Sequence, residues 1–179
     1  MIRKLAVYTS LVLFIIPFCS AAQIKLEKRS FLDNRVELLV PAGLKPMSAD
    51  LVNYKYPNRT QQPNVVLTDE KNEVNIVISL INKPLPESQI PAFKDFQIEI
   101  LKKVHPSAVW LNNGVKPVNG KSVGYFKLVS SAIDQTVFNY YFFTNMDGKV
   151  LLLTFNCPEK QMPNWNAAAE AIVASLKVR

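Results

Sequence analysis

One histidine, two cysteines and five glycines in 179 residues leave little room for most enzyme chemistry. His105 alone cannot supply the several nitrogen or sulfur ligands that a zinc site needs, and the carboxylates of Asp69-Glu70, Asp95 with Glu99, and Asp147 show no ligand spacing around it. No metal and no other cofactor is expected. Beyond the leader only Cys157 remains, so no intramolecular disulfide can form there and stability must come from packing. Long runs of one charge are missing too: the 21 basic residues outnumber 14 acidic ones, yet no basic run exceeds Lys28-Arg29 or Lys102-Lys103. A nucleic-acid partner, which calls for a cationic stripe with interleaved aromatics, is not expected.

What is present begins with a leader, "MIRKLAVYTSLVLFIIPFCSAAQ", in which Arg3 and Lys4 precede an apolar run from Leu5 to Phe18 and the small residues Ser20, Ala21 and Ala22. This is the pattern of a secretory signal peptide over residues 1–22, cut after Ala22. The run is shorter than the roughly 20 residues of a spanning helix, so the expected product is exported, soluble, and periplasmic or extracellular. A rival reading makes Cys19 a lipidated N-terminus, against which the bulky Phe18 before it argues. With Arg3 and Lys4 gone the formal charge falls from +7 to +5. The rest suits one domain, with residues 23–30 as a polar lead-in to a core over residues 31–179.

Strand signals dominate that core. "VELLV" stops at Pro41, and Tyr54 and Tyr56 flank another short expected strand. "NVVLTD" and "EVNIVISLIN" form a hairpin. A helix follows Ser88 with Ile90, Phe93, Gln97, Ile100, Leu101 and Val104 on one face, ending at Pro106. Four further strands, "SAVWLNN", "KSVGYFKLVSS", "QTVFNYYFFTN" and "KVLLLTFNC", are separated by Asn113-Gly114, Asn119-Gly120 and Asp147-Gly148, dipeptides suited to tight turns of positive φ. In "TVFNYYFF" both faces are apolar, which demands cover on each side. A last helix from Pro163 presents Trp165, Ala168, Ala169, Ile172 and Leu176.

Two spellings invite a catalytic interpretation. Gly120-Lys121-Ser122-Val123-Gly124 fits G-x-S-x-G, but a nucleophile elbow needs a helix after the serine, where "VGYFKLVSS" alternates like a strand, and the lone His105 precedes the serine. The phosphate-loop spelling ending in Gly120-Lys121-Ser122 has five residues between Gly114 and Gly120 where four are required. Cys157 shares a strand face with Leu151, Leu153 and Phe155, so its thiol belongs to the core and is expected to be inert. His105 at a helix C-terminus meets the helix dipole. Aromatic residues are the remaining candidates: Trp110, Tyr141, Phe143, Tyr54 and Tyr56 as contacts to a ligand or partner, with a cavity lined by Phe93, Trp110, Tyr141 and Phe143 as the alternative. The long segment from Pro41 to Pro63 is the expected recognition surface.

The strand ending in proline, "NRVELLVPAGLKP", the central helix, the meander carrying "VNGKSVGYFKLVSS" and "QTVFNYYFFTNMDGKVLLLTFNCP", and the closing "WNAAAEAIVASLKV" together resemble the PsbP-like superfamily. The resemblance implies an α+β fold, an α/β/α sandwich around a mostly antiparallel sheet, and a non-enzymatic binding or adaptor role. It carries no functional residue to this chain. The expected function is therefore an exported binding module of the bacterial envelope with an unidentified protein partner. Carriage of an apolar small molecule is the alternative.

Overall fold

The structure is a computed structural model that describes residues 24–132 and 135–179. The leader and Cys19 lie outside the described residues. No described helix is long and apolar enough to cross a membrane.

Strand β1 (Leu26–Phe31) pairs antiparallel with β2 (Val36–Pro41). The segment expected as a lead-in is thus a strand; Leu26 and Phe31 bracket its consecutive charged residues, and β2 supplies the backbone partners that polarity alone does not reveal. Two residues of β3 (Lys45–Pro46) pair with β4 (Val65–Thr68), and between them α1 (Ala49–Lys55) starts at Ser48, whose hydroxyl accepts from Leu51 N at 3.4 Å. The strand expected around Tyr54 and Tyr56 is this helix. The cap at Ser48 and the acidic Asp50 in the first turn outweigh the β preference of the tyrosines.

The hairpin of β4 with β5 (Asn75–Pro84) forms as expected, its turn held by Asp69, whose Oδ1 accepts from Glu73 N at 2.8 Å and Val74 N at 3.2 Å. Helix α2 (Ile90–Val104) follows, then β6 (Val109–Val118), β7 (Lys121–Ser131), β8 (Thr136–Met146) and β9 (Lys149–Pro158), and finally α3 (Met162–Ala174) and β10 (Lys177–Val178). The turns at Asn119-Gly120 (φ 46° and 82°) and Asp147-Gly148 (φ 51° and 76°) have the paired positive φ that two-residue hairpins require. Asn113-Gly114 does not turn. It lies inside β6, just past a register shift between Trp110 and Asn113, and Gly114 makes room for the Tyr125 ring, whose Oη would sit 3.1 Å from an added Cβ.

All pairings are antiparallel, in a seven-stranded sheet ordered β3-β4-β5-β9-β8-β7-β6 and a three-stranded sheet β1-β2-β10. The fold is an α+β sandwich. The two apolar faces of β8 receive different cover. Phe138, Tyr140 and Phe142 join Leu151, Leu153 and Phe155 of β9, Val36, Leu38 and Val40 of β2, and Ala169, Ile172 and Val173 of α3 in one buried cluster. Phe143 joins Ile90 and Ile98 of α2 with Phe126, Leu128 and Val150 in the other, against which Tyr141 packs. The three-stranded sheet, which the sequence analysis did not anticipate, shares the first face with α3.

Helix α2 turns a slightly different face inward than its spacing suggested. Ile90 and Ile98 are buried with Phe93 and Leu101 packed beside them, while Phe96 (51% exposed), Ile100 (38%) and Val104 (61%) look outward. Lys83 sits over the Phe93 and Phe96 rings, at 5.6 Å and 5.1 Å from their centroids, and part-shields the outward phenylalanine.

Candidate functional site

The catalytic spellings are dismantled by their surroundings. Ser122 is a strand residue of β7: its N–H donates to Glu87 Oε1 at 2.9 Å and its carbonyl accepts from Thr144 Oγ1 at 2.8 Å. Glu87 lies just before the N-terminus of α2, and His105 caps the other end of that 15-residue helix. At ~1.5 Å per residue, serine and histidine stand about 22 Å apart along it. No group of three or more His, Cys, Asp or Glu able to hold a metal occurs among the described residues.

Cys157 is fully buried at the end of the Leu151, Leu153, Phe155 row, and burial pushes its thiol up to about 12. At pH 8 iodoacetamide is expected to label native Cys157 at least a thousandfold more slowly than a free thiol, and at the ordinary rate once the protein is unfolded. Mass spectrometry of the alkylated chain reads both rates; rapid native labelling would contradict the burial.

Of the candidate aromatic contacts, Trp110, Tyr141 and Phe143 gather around Phe126, while Tyr54 stands apart. Phe143 is fully buried, edge-on to Phe93 with centroids 5.0 Å apart. Phe126 fills the space a cavity among Phe93, Trp110, Tyr141 and Phe143 would need: it lies 6.1 Å from Trp110, 4.9 Å from Tyr141 in a stack, and 6.4 Å from Phe143. That expected cavity is therefore a packed cluster. In the sequence Phe126 reads as one of several alternating strand residues, and only the β7–β8 register, which sets it opposite Tyr141, shows that it plugs the gap. Tyr54 is 78% exposed on α1, apart from these rings.

Tyr56 and Tyr141, by contrast, come together. They line a pocket of about 210 Å³ on the α2 side of the large sheet, with Gln61 and Pro63 from the long segment and Val77, Ser79, Leu152, Thr154 and Asn156 from β5 and β9. Burial raises both phenols above their ordinary value, and Tyr56 raises Tyr141 further. Beside the pocket runs a row of polar residues in cross-strand register: Thr68 opposite Asn75, Asn75 opposite Asn156, and Asn156 opposite Asn139. Asn75 Nδ2 donates to Asn156 Oδ1 at 2.9 Å, while Thr68 Oγ1 and Asn75 Oδ1 are buried without a partner among the described residues.

A second depression, an open groove of about 520 Å³, lies where the β4–β5 turn approaches the start of α3. Its apolar wall is Ile24, Pro41, Ala42, Leu44 and the half-buried Trp165. Its charged wall is Lys25 with Asp69, Glu70, Lys71 and Glu73. Trp165 is held: its ring lies 5.6 Å from Phe155, its Nε1 donates to Gln161 Oε1 at 3.2 Å, and Gln161 Nε2 donates to Glu73 Oε2 at 3.0 Å. In the sequence Trp165 reads both as part of the apolar stripe of α3 and, with Trp110 and the Tyr140–Phe143 aromatics, as a residue that could line a pocket; the groove it borders lies apart from those rings.

On α3 the partly exposed Glu170 gathers a polar network around the buried Lys127. Lys127 and Lys116 both donate to it, Lys116 Nζ at 3.2 Å, and the Tyr140 hydroxyl donates to Glu170 Oε2 at 3.1 Å. The ammonium of Lys127 also lies 4.4 Å from the Tyr140 ring centroid. Burial alone would raise the Glu170 carboxyl, but Lys127 and Lys116 outweigh it and hold it below the usual carboxylate range. The arrangement fastens α3 to β6, β7 and β8.

No family model matches the chain, and no curated protein does either. Solved structures do match. The solution structure of cyanobacterial PsbP (CyanoP) from Synechocystis aligns with a TM-score of 0.62 at 12% identity, over 89% of this chain and 96% of that one. LpqN of Mycobacterium tuberculosis, described as involved in cell envelope biogenesis, aligns with a TM-score of 0.53 at 13% identity, over 86% and 90% of the two chains. Protein PA94 of Pseudomonas aeruginosa, of unknown function, gives 0.52 at 13% identity, over 86% and 97%. These likenesses establish the fold as PsbP-like.

Proposed function

We propose that this PsbP-like chain is an exported, non-enzymatic binding module of the bacterial envelope that holds a protein partner in the groove beside Trp165. The observation that carries the reading is the groove itself: a tryptophan anchored by Phe155 and Gln161, flanked by proline and leucine on one side and by charges of both signs on the other. Half-buried aromatic residues of this kind contribute most of the affinity at protein interfaces, and a mixed charged rim orients the partner. The groove also takes one wall from the start of the Pro41–Pro63 segment. The envelope assignment is supported by the secretory leader and by the fold shared with LpqN.

Gly43 provides the test. An added Cβ there meets nothing within 4 Å, so Gly43→Trp is expected to fill the groove while leaving the melting temperature within about 2 °C of the parent. A photo-crosslinker at exposed Lys71 is expected to trap one envelope protein in cells, and Gly43→Trp to reduce that adduct at least tenfold. Equal trapping in the parent and in Gly43→Trp would refute the groove as the docking surface.

A further inference from the structure

The pocket beneath Tyr56 has a chemistry that neither a packed core nor a protein groove requires. Its lining mixes hydroxyl, amide and ring groups with the aliphatic side chains of Val77 and Leu152, and holds no charged residue. An ionic guest would lose its hydration and find no counter-charge there, so charge is disfavoured. A purely apolar guest would strand the hydroxyls of Ser79 and Thr154 and the amide of Asn156, and stranding such groups is costly. Asn156 already accepts through Oδ1 from Asn75, so its N–H groups are what it offers the pocket. The volume of about 210 Å³ equals about seven waters of the liquid, below the usual range of drug-sized pockets and enough for one six-membered ring with its substituents.

The neighbouring strands point the same way. A sheet built only for stability would place apolar residues at Thr68, Asn75 and Asn139, which are 6%, 8% and 8% exposed. Asparagine is among the poorer strand formers. Yet the row runs across four strands in register, leaving Thr68 Oγ1 and Asn75 Oδ1 without partners. Buried polar groups that are incompletely satisfied call for an explanation beyond packing. Here Asn75 backs the one pocket residue of the row, Asn156: its Nδ2 donates to Asn156 Oδ1 and so orients that amide.

We propose that this pocket binds a small neutral polyhydroxy ligand, of the chemical class of a single sugar ring, between the rings of Tyr56 and Tyr141 and the Ser79, Thr154 and Asn156 side chains. Hydroxyls that both donate and accept match this mixed lining, and the apolar C–H face of such a ring matches tyrosine and Pro63. The site is separate from the Trp165 groove, with which it shares no lining residue. Either reading can therefore fail alone.

The test is a titration of the ¹⁵N-labelled, exported protein, followed through its backbone amide resonances. Four probes are used: glucose and N-acetylglucosamine as neutral rings, glucuronate as an anionic one, and benzene as an apolar one. At least one neutral sugar is expected to shift the amides of Ser79, Thr154 and Asn156 saturably, with Kd on the order of 1–10 mM. Tyr56→Ala and Ser79→Leu should each weaken that binding at least tenfold. Gln61→Ala, on the exposed segment, is a third variant that keeps the test intact if Ser79→Leu fails to fold. The proposal is overturned if neither neutral sugar moves these amides, if benzene or glucuronate saturates them at lower concentration, or if folded variants bind as the parent does.

Discussion

Gly124→Val is expected to lower the stability of this protein by about 3 kcal/mol or to leave it insoluble, which places the substitution at the severe end for a single residue. The reason is space. A Cβ built on Gly124 would stand 2.5 Å from Phe143 Cζ, 2.6 Å from Phe143 Cε2 and 3.1 Å from Ile90 Cγ2. None of these can retreat easily. Phe143 is fully buried and braced by Phe93 and Phe126, and Ile90 opens α2 with no exposed surface. Gly124 has no positive φ, so its backbone would tolerate a side chain that its neighbours will not. Thermal unfolding of Gly124→Val, alone and with Phe143→Leu, is the measurement: the double variant should be more stable than the sum of the two single effects, because the smaller residue vacates the space. Gly43→Ala, with nothing within 4 Å of its Cβ, should be neutral or slightly stabilising. Equal effects at Gly43 and Gly124 would mean that flexibility, and not close approach, explains both glycines.

Removing Glu170 should be nearly as damaging. Lys127 keeps only 8% of its side chain exposed and loses its carboxylate in Glu170→Ala, leaving a desolvated cation without a partner. Breaking a fully buried pair costs about 3–5 kcal/mol; because the Glu170 side chain is 43% exposed and water can partly replace it, about 2–3 kcal/mol is expected here, or roughly 5–10 °C in melting temperature. Lys127→Met in the same background should recover most of that loss, since it removes the stranded charge itself. If the double variant is no better than Glu170→Ala, the network does not hold α3 in place.

The network also predicts a pH dependence. The Glu170 carboxyl is held below its unfolded value by Lys127 and Lys116, so its contribution to stability is fully present above about pH 4.5. It is lost as pH falls through the folded-state value, and below that the carboxyl is neutral in both states. Glu170→Gln should accordingly flatten the acid limb of the stability curve and change little in its slope above pH 6.

The chain's elements were legible where local chemistry and tertiary context agree. Asn119-Gly120 and Asp147-Gly148 turn because two adjacent residues there tolerate positive φ, and the hydrogen bonds of β7, β8 and β9 follow from those turns. Asn113-Gly114 has the same spelling and does not turn, because the glycine is needed to admit the Tyr125 ring. The helix over Ile90–Val104 was legible in length and in part of its face: Ile90, Phe93 and Leu101 pack inward as the spacing predicts, whereas the sheet beneath takes Ile98 in place of Ile100 and Val104. Asn75, Asn139 and Asn156, each in an otherwise apolar strand, were the visible trace of the pocket row. Their meaning depended on register across strands that lie up to 81 residues apart in the chain.

The sequence by itself determined the alternation that makes β8 apolar on both faces, the turn chemistry of the meander, the place of Cys157 at the end of an aliphatic row, and the presence of a single histidine. These are properties of residue type and near-neighbour spacing. Tertiary structure alone decided that Phe126 plugs the aromatic cluster, that Tyr56 meets Tyr141, that Trp165 borders a groove, and that Lys127 finds Glu170. Those pairings join residues brought together by strand order and helix placement, which local periodicity cannot encode.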